Sequence, residues 1–309
     1  MSSPAPSQPA VSAGHHSTRR LDAVAAGVVI ILCMSWGFNQ VSTKLAMQDI
    51  PPLLQATIRS TIGALIVGAW CWWRGIKLFE HDGTLRAGLT LGAFFGIEFI
   101  LIYQGLVYTT ATRAILFLYL APFLVVVGAR ILLPIDRFSL WQWLGLSLSF
   151  TGMLVAFGLP TPAMDPRQAL GDIMLVGAAV FWAASTLITK VTALVHARAE
   201  KLMLYQLVVS VPMMALAVLI AGERIDHAPS AVAIGALAYQ SFWIVSVTFV
   251  VWYALVVKYS ASRLSAFTFL TPLFGVAAGH LVLGEPLTPA FAAAVALVAG
   301  GLVLVNRTK

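Results

Sequence analysis

The chain has 309 residues, of which 60% are hydrophobic and only 10% charged, and its mean hydropathy is +0.90. Ordinary soluble domains carry about 25% charge, so this composition excludes a water-soluble protein and requires lipid as the solvent. The formal net charge of +7 does not point to nucleic acid, because the basic residues stand one or two at a time between apolar runs.

Residues 1–21 are rich in Ser, Pro and Ala and end near Arg19 and Arg20. They contain no apolar core of a signal peptide, and a disordered cytoplasmic tail is expected. Ten apolar runs follow, at about 22–43, 52–73, 86–108, 113–133, 139–159, 169–190, 200–221, 232–256, 263–284 and 288–306. Each approaches the ~20 residues that a helix needs to cross the hydrocarbon. The gaps carry Pro, Gly or charge, as in Asp49-Ile-Pro-Pro52 and Gly284-Glu-Pro286. An open sheet cannot exist in lipid, and the alternation of barrel strands is absent, so the expected class is an all-α integral membrane protein.

Basic residues set the orientation. With the N-terminus inside, fourteen Lys and Arg fall in inner loops and tails, four (Lys44, Arg113, Arg167, Arg224) fall outside, and Arg59 lies within the second run. That bias puts both termini in the cytoplasm.

The chain also repeats itself. Trp36-x7-Lys44 returns as Trp182-x7-Lys190, and Tyr103, Arg113, Phe117, Leu120 and Pro122 return as Tyr253, Arg263, Phe267, Leu270 and Pro272. The repeats divide at 22–160 and 161–309. Five helices is an odd number, so the second unit enters the membrane from the other side. The expected architecture is two inverted five-helix repeats with a ligand cavity between them.

These residues carry a resemblance. The two Trp-x7-Lys segments, Pro122 and Pro272, and the Leu283-Gly-Glu-Pro286 turn resemble the EamA-type proteins of the drug/metabolite transporter superfamily over about residues 22–306. The matching turn of the first repeat, Leu133-Pro-Ile-Asp136, lacks the Gly and Glu. The resemblance implies an inner-membrane carrier for small metabolites.

Few residues suit a transport site. Of twelve acidic residues only Glu98 sits mid-helix, where a carboxylate is costly and faces a cavity or a partner. Its roles would be to contact a substrate ammonium or to carry a proton, which would make protons a second partner; otherwise it is a hydrogen-bonded structural acid. Trp36, Trp182, Trp243 and Trp252 lie deep enough to stack on an aromatic ligand, or simply to pack. Asn39 and Ser185 are related by the repeat, as are Tyr103 and Tyr253. With Gln104, Tyr239, Gln240, Ser246 and Thr248 they are either interhelical glue or cavity lining. On the eighth helix Tyr239, Gln240, Trp243, Ser246 and Tyr253 follow i, i+3/i+4, i+7 and fall roughly on one face, the pattern expected of a cavity wall. Arg113, Arg263, Lys44 and Lys190 either snorkel into headgroups or act as gates that exchange ion pairs. Pro122 and Pro272 should kink the fourth and ninth helices. Arg59 should snorkel outward unless it binds a substrate carboxylate.

No cofactor or metal is expected. Cys33 and Cys71 lack ligand spacing, and no phosphate loop, His-Glu-x2-His or Gly-x-Ser-x-Gly is present. With one deep acid, the carboxylate pair of an intramembrane protease cannot be built. The expectation is a non-enzymatic secondary transporter, and the resemblance implies one that exports aromatic and apolar amino acids. The alternatives are a drug or cation exporter, a phosphosugar exchanger, and a membrane enzyme or structural membrane subunit.

Overall fold

The computed structural model describes residues 21–78, 80, 82–109, 111–133, 138–158, 165–284 and 287–307. The expected tail and most of the turns Leu133-Pro-Ile-Asp136, Pro160-Thr-Pro162 and Gly284-Glu-Pro286 lie outside these residues. Among the described residues, ten helices are long and apolar enough to cross a membrane, and there is no strand. They are α1 (Ala23–Ala46), α2 (Pro52–Trp73), α3 (Leu85–Tyr108), α4 (Ala111–Leu118 and Ala121–Leu132), α5 (Leu140–Phe157), α6 (Pro166–Val191), α7 (Ala199–Ala221), α8 (Ala231–Lys258), α9 (Ala261–Phe267 and Leu270–Leu283) and α10 (Pro289–Asn306). An even number of crossings brings the chain back to the face from which α1 starts. That face is called the terminal face below, and the other the far face.

Local chemistry sets the helix ends. The Asp22 side chain accepts from the Ala25 amide at 2.8 Å, and Ser139 with Gln142 forms a capping box at α5. Pro52, Pro166 and Pro289 open α2, α6 and α10, where a missing N–H costs nothing. Both mid-span prolines coincide with breaks. Pro122 cannot donate to Leu118, so α4 stops at Leu118 and restarts at Ala121. Pro272 cannot donate to Thr268, and α9 breaks after Phe267 in the same way.

The packing has two-fold character. α5 lies against α10, its counterpart, and α2 against α7; α3 packs on α6 and α7, and α8 on α1 and α2. Small residues permit the closest approaches. A Cβ on Gly145 would strike Leu304 and Val305, and one on Gly152 would meet the Ala294 carbonyl at 2.9 Å. With the helix starts aligned, Gly152 corresponds to Gly301 and Gly145 to Ala294. Gly145 therefore meets the equivalent of Gly152 while Gly152 meets the equivalent of Gly145, the reciprocity of a two-fold contact. Gly88, Gly92 and Gly96 likewise let α3 approach Tyr205, Val209 and Met213 of α7.

One substitution tests this seam. In Gly301→Val the Cβ would lie 2.8 Å from the Ser149 amide, whereas at Gly300 it would meet only Leu148 at 3.6 Å. Gly301→Val is expected to cost at least the ~1–3 kcal/mol of an overpacked core, seen as a lower thermal midpoint in detergent, while Gly300→Val stays near wild type. Equal midpoints would remove α5–α10 contact as a source of stability.

Loops on the far face are tied by acids. Glu223 Oε2 accepts from the Leu54 amide at 2.8 Å, so the end of α7 caps α2. Asp49 accepts from the Ser230 amide at 2.8 Å and lies 3.2 Å from His227 Nε2. The Ser230 hydrogen bonds, helped by His227, hold the Asp49 carboxyl at about 2. This clasp is complete above the ordinary carboxylate range and is lost only as the pH falls through that value.

Candidate functional site

A cavity of about 650 Å³ lies between the two repeats, within the usual ~300–1,000 Å³ of a small-molecule site. It runs from mid-bundle to the far face, where Lys44, Met47, Phe157 and Gly279 form its rim. Towards the terminal face it is closed by packed residues that include Leu264, Phe267, Phe269 and Tyr259.

The repeat builds the wall. Phe99 and Phe249, Ile102 and Trp252, Tyr103 and Tyr253, and Trp36 and Trp182 are equivalent pairs, and all eight line the cavity. Trp36 Nε1 donates to Thr248 Oγ1 at 2.9 Å and its ring meets Trp252 edge-on at 5.3 Å. The Trp182 ring meets Tyr119 at 5.7 Å. Gln206 Nε2 donates to the Tyr253 hydroxyl. Side chains fixed in this way form a rigid aromatic surface suited to flat or apolar ligands.

The charges are not symmetric. Glu98 and Arg59 both face the cavity and are 8% and 2% exposed. Five residues before Tyr253, where Glu98 stands before Tyr103, the second repeat has Thr248. The Arg59 guanidinium lies 4.6 Å from the Phe99 ring centre and 5.6 Å from that of Tyr103. This differs from outward snorkelling: its face of α2 turns to the aromatic rings of α3, so the cation stays in the bundle on their π-faces. Asn39 also lines the cavity, with Oδ1 buried and without a hydrogen-bond partner.

The remaining candidates lie elsewhere. Tyr239, Gln240, Trp243, Ser246 and Ser185 are not in the cavity wall. The Tyr239 hydroxyl donates to the Ser35 carbonyl at 3.1 Å, Trp243 Nε1 to Ser35 Oγ at 3.0 Å, and Gln240 Nε2 to Ser42 Oγ at 3.5 Å. They tie α8 to α1. Ser246 bonds the carbonyl of Ser241 in its own helix, and Ser185 is buried. The reason is a change of period. Tyr239–Thr248 is a π-helix, whose wider turn rotates everything after it, so a face drawn at 3.6 residues per turn does not survive. Tyr253 lines the cavity, together with Ile244, Phe249 and Trp252, which that face omitted.

Of the residues read as gates, Lys44 is exposed at the rim and Lys190 is buried, its Nζ 3.4 Å from the Val257 carbonyl. Arg113 is buried and ion-paired with Asp172, which also accepts from Thr109 Oγ1 at 2.8 Å. Arg263 begins α9 and is partly buried. Pro122 and Pro272 lie at the helix breaks and outside the wall.

α4 and α9 complete the wall with Ile115, Tyr119, Thr271 and Gly275. Sequence reading passed over Phe99, Phe249 and Tyr119. A signal existed, since Phe99 precedes Tyr103 by the same four residues that separate Phe249 from Tyr253.

Ten apolar helices around a cavity that reaches one face define a multi-pass membrane transporter. The model of the EamA-like transporter family matches twice, over residues 24–158 and 169–307; the chain belongs to this family, and as a transporter it moves small molecules. It is 28% identical to the uncharacterized transporter YvbV of Bacillus subtilis, over 90% of this chain and 90% of that one. It is 25% identical to a probable amino-acid metabolite efflux pump of Salmonella typhimurium, over 92% and 94%. A solved crystal structure superposes with a TM-score of 0.78 over 91% of this chain and 97% of its own, at 19% identity, and shows the same fold.

Proposed function

We propose that this transporter exports aromatic and other apolar amino acids across the inner membrane by alternating access, with both termini in the cytoplasm. The observation that carries this reading is one carboxylate, Glu98, in a wall of Trp, Phe and Tyr. The carboxylate suits a substrate ammonium and the rings suit an apolar side chain. The resemblance of the whole sequence to YddG, an aromatic amino-acid exporter, and the amino-acid efflux name of the Salmonella relative support the same substrate class. Proteoliposomes loaded with labelled Phe, Trp or Thr test it. Efflux of Phe and Trp well above empty liposomes is expected. Transport of a cationic dye without either amino acid would instead favour a drug or cation exporter, which the same acid and rings would serve.

Alternating access rests on the repeat. Lys44 and Lys190 are equivalent in sequence, yet one lies exposed at the open rim and the other is buried on the closed side. Exchange of the repeats' roles would exchange these two environments. In right-side-out spheroplasts, an impermeant maleimide is expected to label Lys44→Cys and spare Lys190→Cys. In inside-out vesicles Lys190→Cys is expected to react, and conditions favouring the opposite opening should raise its rate about tenfold while slowing Lys44→Cys. Labelling of Lys190→Cys only from outside would reverse the orientation, and rates that never change would exclude the exchange.

A further inference from the structure

We infer that Arg59 is a carboxylate site, so that with Glu98 the cavity selects zwitterions, molecules with an ammonium and a carboxylate on neighbouring atoms, over plain amines or plain acids. This rests on the amino-acid reading above and narrows it.

The Arg59 side chain is buried, and its Nε and Nη2 have no hydrogen-bond partner. Buried guanidinium nitrogens are almost always paired, because leaving one unpaired forfeits its hydration without return. Glu98, the nearby acid whose field reaches it, forms neither a salt bridge nor a hydrogen bond with it. Arg59 is held instead over Phe99 and Tyr103. A carboxyl group and a guanidinium therefore face one cavity without closing on each other.

The order along α3 fixes a pose. Glu98 lies deeper, and the guanidinium sits between Phe99 and Tyr103, roughly one helical turn nearer the far-face mouth. A ligand with its ammonium at Glu98 would bring a carboxylate on the adjacent carbon towards the free fork of Arg59. Guanidinium and carboxylate match as two parallel N–H···O bonds, and Nε with Nη2 is one of the two edges that can make them. The ligand's side chain is left to Trp36, Phe249 and Trp252. A monoamine would leave the fork empty, and a monoacid would bring its charge near Glu98 without a cation between.

The test needs no mutation at first. The purified full-length protein is challenged with L-phenylalanine, phenethylamine, which lacks the carboxylate, and 3-phenylpropanoate, which lacks the ammonium. Wild type is expected to bind L-phenylalanine about tenfold or more tighter than either analogue, the scale of one charge-assisted pair. Arg59→Gln should erase the preference over phenethylamine while keeping phenethylamine affinity. Glu98→Gln should erase the preference over 3-phenylpropanoate. Arg59→Lys keeps the charge but not the fork and should fall between. Wild type that binds phenethylamine as tightly as L-phenylalanine overturns the inference, even if it exports amino acids. Binding of 3-phenylpropanoate but not of L-phenylalanine supports the anion site and overturns the amino-acid reading. Binding of none of the three overturns both.

Discussion

Glu98→Gln is expected to lower amino-acid efflux at least tenfold and to flatten whatever pH dependence the wild type has. Glu98 faces the cavity without a salt bridge or hydrogen bond to any described residue. Its charge therefore serves no visible structural partner, and Gln, of nearly the same shape, should fold. A ligand ammonium taken from water needs a counter-charge in this low-dielectric site. A hydrogen bond to a charged group contributes about 1.5–3 kcal/mol, which sets the expected loss. The groups facing Glu98 are Arg59 of α2, Tyr253 of α8 and, on its own helix, Tyr103. Glu98→Gln removes a carboxyl that can take up a proton, so any pH dependence that this group gives to transport is lost. Efflux with wild-type rate and pH profile in Glu98→Gln, at unchanged thermal midpoint, would leave this acid no part in transport.

Arg113→Ala should produce the largest loss of stability among the charged residues. The pair Arg113–Asp172 is buried, with side-chain exposures of 9% and 11%, and Arg113 Nε also donates to Asp172 Oδ1 at 3.0 Å. Removing the guanidinium strands a carboxylate inside the bundle, which typically costs 3–5 kcal/mol. Replacing both partners with apolar residues, Arg113→Met with Asp172→Leu, should recover most of that loss, because no orphan charge is left. Thermal melts of the two variants decide the matter, and a double variant no more stable than the single one would contradict the desolvation argument. The pair also ties the start of α4 to α6 on the face where the cavity opens. At the terminal face Tyr259, which stands in the second repeat where Thr109 stands in the first, donates to Asp22 Oδ2 at 3.0 Å. Asp172→Asn should therefore change the balance of Lys44→Cys and Lys190→Cys labelling as well as the melt, if Arg113 is a gate as well as a clamp.

Much of the architecture was legible in the sequence. Each span is an uninterrupted apolar run because lipid offers no partner for a backbone N–H or C=O, so length and hydropathy alone decide where helices lie. The repeat of Trp36 in Trp182 and of Tyr103 in Tyr253 was equally direct, and the same reciprocity reappears in the Gly145 and Gly152 contacts. Pro122 and Pro272 announced the breaks in α4 and α9, since a ring nitrogen cannot donate wherever the helix packs. Glu98 stood out by elimination, because a deep acid in a lipid-embedded helix is rare.

What the sequence could not decide was which polar side chains turn towards the cavity and which towards a neighbouring helix. Tyr239, Gln240 and Trp243 have the composition of a cavity wall, yet they bond Ser35 and Ser42 of α1, while the π-turn that they begin rotates Tyr253, further along α8, onto a different face. Arg59 reads as a snorkelling cation until α3 brings Phe99 and Tyr103 beneath it. Asp172 reads as one acid among several until Arg113, 59 residues away in the chain, closes on it. The spans and their repeat follow from local chemistry in lipid, which the sequence determines by itself. The site is decided by helix rotation and by contacts between distant segments, which arise only when the ten helices pack together.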